Sequence, residues 1–571
     1  MQKVAPDFTI PHSEIVLGTP LGEERPARFG GVFARFIAAC ERSTDAQLAL
    51  LISAVLFALA AWPLALVTVP PLQDLPNHLA AATILQHPNL YPELVFNGYL
   101  KTNSALFTWL VVGGKFIGLR GAARLFVLVV LALGALALPQ FVLAFGGRRR
   151  MVLSGFFVWP VVHNWFVSMG MLDFALSVPL ATFLLVALER QLRRPSVESA
   201  IGIGGLALLT WHAHVFPLLV VDMLVALQVV LGSTWEERRR RARILGPPLL
   251  PAALLVVRSL WAHVTEPVGP TTGYVALDRL LPPWELFYNI WAEWFHAFTW
   301  LEFATLVPCL GLGLWAIYKW RDDIPFFGPV AFLALAGFYF FIPYTVTNWF
   351  HVNSRFIPFL CLAALPRLPE RLPASWERRV LGVLGCGAIT YSAGMACDYV
   401  RLDRDWSRFT AGMSVVPEGA RLLPLVFRSK GTSENTRSLL HAWGFYTLER
   451  HTSAPLLFAH SRSFPLMYRT PPEAQFNHLV LESWAPSMAS PDWACSVLRS
   501  GGVAVDDCNA QWQARWFEFW HRAGGEFDWV LLWSAPPAVM ALVPTDYRVA
   551  FRRDELTILE RLETTVSAPP D

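Results

Sequence analysis

The sequence predicts an all-α polytopic membrane domain of about 11 transmembrane helices followed by a small extracytoplasmic α/β domain. Three observations carry this: too little charge to coat soluble domains, a series of long apolar runs, and arginine clusters between those runs. Of 571 residues, 54% are hydrophobic and only 16% charged, with 24 Trp. Mean hydropathy is +0.42. Charged residues make up about a quarter of an ordinary soluble chain, so much of this surface has to face lipid. The net charge of +3 does not point to nucleic acid. The basic residues sit in short loops and not on one continuous face. Membrane lipid is the expected partner, and no nucleic acid is.

The elements follow in chain order. Residues 1–46 are polar, with Arg25, Arg28, Arg35 and Arg42, and the first apolar run starts near Gln47. A cleavable signal has its apolar core nearer its start. The segment therefore reads as a cytoplasmic N-terminus, and Leu48–Val69 as a permanent first span. The polytopic domain covers 47–397. Its strongest basic clusters are Arg148–Arg150, Glu189–Arg194, Glu236–Arg243, Lys319–Arg321 and Arg367–Arg379. Basic clusters favour the cytoplasmic side. With all of them inside, Met151–Leu188 and Ile201–Leu231 become hairpins, tipped near His163–Gly170 and His212–Phe216. Single spans follow at Ala122–Phe145, Ile244–Trp261, Phe303–Tyr318, Pro325–Tyr344, Phe356–Leu368 and Val380–Cys397. Two long outer loops remain, 70–121 and 263–302. Ser104–Leu119, short and carrying Lys115, reads as an interfacial or re-entrant helix in the first of them.

Residues 398–571 have a different texture. Phe527–Trp533 is a buried-strand run, and Tyr547–Phe551 with Leu556–Leu562 reads as a hairpin. Glu434–Leu448 and Gln511–His521 read as helices. No glycine-rich phosphate loop, zinc spacing or nucleophile elbow occurs, so no cofactor is implied and a divalent metal has no motif behind it. Oligomeric state leaves no mark in the sequence.

Candidate chemistry clusters at the outer ends of the spans. Directly after the first span comes Pro70-Pro71-Leu72-Gln73-Asp74-Leu75-Pro76-Asn77-His78. Asp74 and His78 are four apart and share a helix face. Asp74 is either a general base toward an incoming hydroxyl or the cap of the helix that starts at Pro76. His163 lies at the first hairpin tip, with Asp173 just inside the next span; a carboxylate there faces a cavity or a partner. His212 and His214 lie at the second tip. Asn353 and Arg355 sit in a short outer loop, where an arginine runs against the charge trend and suits a phosphate or a carboxylate. Glu285 and Glu293 lie among Trp and Phe in Pro282–Trp300, as substrate contacts or as part of an aromatic belt.

Taken together, an acid just after the first span, many further spans and an extracytoplasmic C-terminal domain resemble the GT-C superfamily, which includes the protein mannosyltransferase and aminoarabinose transferase families. The resemblance covers the architecture of nearly the whole chain. It implies a glycosyltransferase with a polyprenyl-phosphate sugar donor and an envelope acceptor, in a bacterial inner membrane. The resemblance matches Asp74 to the family's first-loop acid, as catalytic base, and Arg355 to its phosphate-binding basic residue; the residues themselves put His78 beside Asp74 as catalytic and His163, His214, Asn353, Glu285 and Glu293 toward substrate. In many family members two acids are adjacent in the first loop; here Leu75 follows Asp74, and the next acid is Glu93. A transporter would instead place polar residues at mid-membrane, usually with repeat symmetry, and a non-catalytic envelope-assembly protein would need none of these groups.

Of the seven cysteines, only Cys495 and Cys508 fall in the outer domain. An oxidising compartment would pair them. The bridge would close a loop of about 14 residues, worth roughly 3 kcal/mol.

Overall fold

The computed structural model describes residues 43–562 apart from 157, 266–280, 293–310, 312, 316–317, 319–323, 346–349, 431–435, 460–463, 471 and 501–506. The described residues from Ala49 onward form one compact unit. Among the described residues, five helices are long and apolar enough to cross a membrane: Asp45–Leu66, Ala105–Gly146, Leu172–Arg193, Trp235–Ser259 and Ser375–Val415. A sixth span results if Arg148–Gly155 and Trp159–Met169, bent by 77°, are one broken crossing. This is a multi-pass membrane protein.

The remaining expected spans are shorter as helices. A polar break at His214 and prolines at 343 and 366 cut the apolar runs that hydropathy reads as continuous. Val197–Ala213 has 17 residues and Val215–Val230 has 16, with the break at His214, as the second hairpin requires. Pro329–Phe341 has 13 and Ile357–Ala364 has 8. Most of Phe303–Tyr318 lies outside the described residues. The cluster Glu236–Arg243 is not a loop. It forms the first turns of the Trp235–Thr265 helix, where Glu237 pairs with Arg241 one turn on.

Ala105–Gly146 is continuous in hydrogen bonding but broken at Gly118, whose φ of 70° and ψ of 157° are not helical. Trp109 Nε1 donates to the Ala122 carbonyl at 2.9 Å. In a straight helix these residues would stand roughly 20 Å apart along the axis. The Ser104–Leu119 segment is therefore an arm folded back on the span that follows.

The helix Ala374–Phe409 runs through Asp398, where composition placed the start of the C-terminal domain. Beyond it lies a four-stranded sheet, ordered β2 (Leu422–Val426), β4 (Trp529–Trp533), β6 (Leu556–Arg561), β5 (Tyr547–Arg553). β2 and β4 are parallel, and β5–β6 is the antiparallel hairpin. Every residue of β2 and β4 is buried, which is why Phe527–Trp533 reads as a buried-strand run; β2 is not among the expected strands. The Cys508–Glu526 helix buries Trp512, Trp516, Phe519, Trp520 and Ala523, spaced as one helical face. Its N-terminus is capped by Asp507, which accepts from Asn509 N and Ala510 N, each at 3.0 Å. Of the helix expected over Glu434–Leu448, 434–435 lie outside the described residues, 438–443 are turns, and helix runs only over Gly444–Arg450.

A two-stranded ribbon ties the first loop to this region: β1 (Leu94–Phe96) pairs antiparallel with β3 (Leu466–Tyr468).

Candidate functional site

The loop after the first span descends through Pro70 and Pro71 and turns into the helix Leu75–Gln86, which Pro76 presets at its first turn. Its entry is held by the first hairpin tip. Gln73 N donates to Ser168 O and Asp74 N to Met169 O, both at 3.0 Å. Gly170 follows with φ of 84°. A Cβ there would lie 2.8 Å from Asp74 N and 3.1 Å from Asp74 Cβ. The position thus needs glycine for its backbone angle and for the close approach.

The C-terminal part closes the other side. Asn77 Nδ2 donates to Leu456 O at 2.9 Å, and Arg437 N donates to Gln73 Oε1 at 2.6 Å. At Gly444 a Cβ would collide with the Pro76 carbonyl, so the turn ahead of the Gly444–Arg450 helix abuts the start of the Leu75–Gln86 helix. That contact brings His441 to Asp74.

Asp74 occupies the N-cap position yet makes no side-chain cap bond. Its Oδ1 lies 3.3 Å from His441 Nε2 and accepts from Gln73 Nε2 at 3.3 Å. His441 is 2% exposed, and its Nδ1 lies 3.9 Å from Glu482 Oε1 on the His478–Ser487 helix. His78, one turn into the Leu75–Gln86 helix, places Nε2 at 3.3 Å from Gly170 O and packs its ring edge-on to Phe107 and Phe458. Burial drives the His78 pKa down to about 4 against the pull of Asp74. Burial raises the Glu482 carboxyl above the ordinary range, opposed by His441 and Arg437 and reinforced by Asp74. The corner therefore holds a neutral imidazole at 78 and two carboxyls in unlike environments.

The other expected site residues have contacts of their own. Arg355 Nη1 lies 2.6 Å from His214 Nε2, and Nη2 donates to Phe350 O at 3.5 Å. Its guanidinium carbon sits 5.4 Å from the Phe174 ring and 6.0 Å from that of Phe216. Asn353 is fully buried beside it and accepts from Ser354 Oγ at 3.4 Å. His163 Nε2 lies 2.9 Å from Tyr399 Oη. His212 Nδ1 lies 3.1 Å from Lys101 O and ties the end of the first loop to the second tip. Glu285 is on the Pro283–Ala292 helix, and Glu293 lies outside the described residues. Asp173 is structural, since its Oδ1 accepts from Leu106 N at 2.9 Å and caps the Ala105–Gly146 helix. Cys495 and Cys508 are joined as a disulfide, with Cα atoms 5.7 Å apart. Among the described residues no group of three or more His, Cys, Asp or Glu has metal-binding geometry.

His441 and Glu482 carried no signal in the sequence. Neither lies in a motif, and His441 sits where helix periodicity was read in place of a turn.

No family model matches this chain, and no curated protein sequence does. Solved structures do. ArnT from Cupriavidus metallidurans bound to undecaprenyl phosphate aligns over 91% of this chain and 99% of its own, at TM-score 0.51 and 11% identity. Its apo state aligns over 90% and 98%, at TM-score 0.50 and 12% identity. The mycobacterial arabinofuranosyltransferase AftD aligns over 90% of this chain and 41% of its own, at TM-score 0.45 and 13% identity. The fold is the one these two ArnT structures have, and the likeness extends over nearly the full length of both chains.

Proposed function

We propose that this chain moves a sugar from a polyprenyl-phosphate donor to an envelope acceptor on the extracytoplasmic face of a bacterial inner membrane, with Asp74 as the base. The observation that carries this reading is the position of the Asp74 carboxylate. It stands at a helix start without capping it, where loop, hairpin tip and C-terminal part converge. The undecaprenyl phosphate bound to ArnT supports the class of donor.

The chemistry is coherent with that placement. A lipid-linked donor keeps its chain in the bilayer and its phosphate at the interface. The acceptor hydroxyl attacks the anomeric carbon and gives its proton to Asp74. The bond from that carbon to the phosphate oxygen breaks, and the electron pair leaves with the phosphate. A leaving phosphate needs charge stabilisation more than covalent help, and Arg355 is the cation we assign to it, with Asn353 and His214 beside it. In this reading the N-terminus and Arg238 are cytoplasmic, while Asp74, Trp284, Gly444 and the C-terminal region are outside. A disulfide at Cys495–Cys508 agrees with an oxidising side.

The test uses the full chain in liposomes, a labelled undecaprenyl-phosphate sugar, and envelope lipid or polymer as acceptor. Transfer by the wild type that is lost in a well-folded Asp74→Asn variant supports the reading. Equal transfer by both overturns the role of Asp74. Labelling of a cysteine at 238, and not at 444, from outside whole cells overturns the orientation.

A further inference from the structure

The geometry points to an acid–imidazole–acid array, Asp74–His441–Glu482, in which His441 is the positioning residue that holds Asp74 as an ionised acceptor and Glu482 carries a proton that fixes the His441 tautomer. It rests on the reading of Asp74 as the base.

Three elements distant in sequence supply the three groups: the first loop, the turn before the Gly444–Arg450 helix, and the His478–Ser487 helix. The single imidazole between them is 2% exposed. Its Nε2 faces Asp74 Oδ1 at 3.3 Å, and its Nδ1 faces Glu482 Oε1 at 3.9 Å. Neither His441 Nδ1 nor Glu482 Oε1 has a hydrogen-bond partner among the described residues. A buried polar atom left without a partner is costly, so these two facing atoms are expected to satisfy one another.

Proton counting fixes how. A neutral imidazole has one N–H and one lone pair. With Nε2–H directed to the Asp74 carboxylate, Nδ1 presents its lone pair to Glu482. An ionised Glu482 would set acceptor against acceptor; a protonated Glu482 supplies the donor. The tautomer at one ring nitrogen is thus set by the bond the other makes. The surroundings favour this distribution. Glu482 is raised by burial and by the charge of Asp74, against His441 and Arg437. On the Asp74 side the nearby titratable group is His78, which burial keeps neutral. Two carboxyls in one corner then take different roles because their environments differ.

The array adds nothing to the atom balance of transfer. The hydroxyl proton passes to Asp74 Oδ2, since Oδ1 faces His441 and Gln73, and it leaves from there to water when product departs. His441 stays neutral and Glu482 stays protonated throughout.

Solid-state 15N NMR of the histidine-labelled full chain in lipid reads the array without any substrate. The His441 signal is assigned by its loss in His441→Gln. The expected result is a neutral Nε2–H imidazole near pH 7. Glu482→Gln keeps that tautomer, because the amide N–H still donates to Nδ1, and it keeps transfer. Glu482→Ala loses the tautomer preference and lowers kcat by on the order of 10²-fold with KM unchanged, as a misplaced catalytic group does. An imidazolium or an Nδ1–H ring at 441 in the wild type overturns the proposal, as does a tautomer unmoved by Glu482→Ala. Should Asp74 prove not to be the base, the NMR result stands while transfer ignores every one of these variants, so the two failures are distinguishable.

Discussion

Asp74 and Asp173 are both carboxylates at helix starts, and both belong to the neighbourhood of the first hairpin tip. Asp173 accepts from Leu106 N and thereby caps a helix other than its own. Asp74 stands at the cap position of its own helix and leaves that bond unmade. Its oxygen turns to His441 and Gln73. Under the proposed function, the difference separates an acid that holds the structure together from one left for chemistry. A side chain at a preferred capping residue that declines the cap is the more informative of the two.

The largest expected effect separates them directly. Asp74→Asn keeps the size and the packing, so its melting temperature stays near wild type while sugar transfer falls by roughly 10²–10⁴-fold. A transfer assay beside a thermal melt reads both. Next comes the contact that completes the corner. Gly444→Ala forces a methyl against the Pro76 carbonyl, with an expected loss of about 1–3 kcal/mol from overpacking. The measurement is the melting temperature of the purified protein; an unchanged value would show that the corner yields without strain. Asp173→Ala removes a cap and should cost roughly 1–2 kcal/mol while the folded fraction keeps its transfer rate. Full stability with lost transfer at 173 would break the contrast with 74.

The smallest effect concerns pH. His78 is neutral in the folded corner, with its pKa lowered from 6.5 to about 4. A lowered pKa means that the unfolded chain binds the proton more readily. The stability it contributes is therefore present above about 6.5 and lost as pH falls toward 4. Melting curves across that window should decline in the wild type and flatten in His78→Gln.

Much of the fold was legible because the sequence marks its own breaks. His163–Gly170 and His212–Phe216 interrupt apolar runs with polar residues and glycine, and the structure turns near both. The β4 run and the β5–β6 hairpin follow from apolar continuity and alternation. The helix lengths were not legible, since hydropathy sums over residues and misses a single backbone angle such as that of Gly118. Asp74 and His78 stood out by their spacing after the first span. His441 and Glu482 did not, because only tertiary packing relates them to Asp74. Arg355 drew notice as a charge on the unexpected side, yet nothing local foretold that its partner would be His214.

The ties between the first loop and the C-terminal part have a consequence for how the molecule is made. Asn77 is bonded to residues 379 and 381 positions further along the chain. Synthesis proceeds from the N-terminus, and early segments begin to fold before late ones exist. The first span and the Asp74 loop are thus in place long before the residues that close over them. Contacts of such separation also form slowly. A chain stopped before position 441 would have its hairpins and many of its spans but an open corner around Asp74, and the final stretch of translation decides whether that carboxylate ever meets its imidazole.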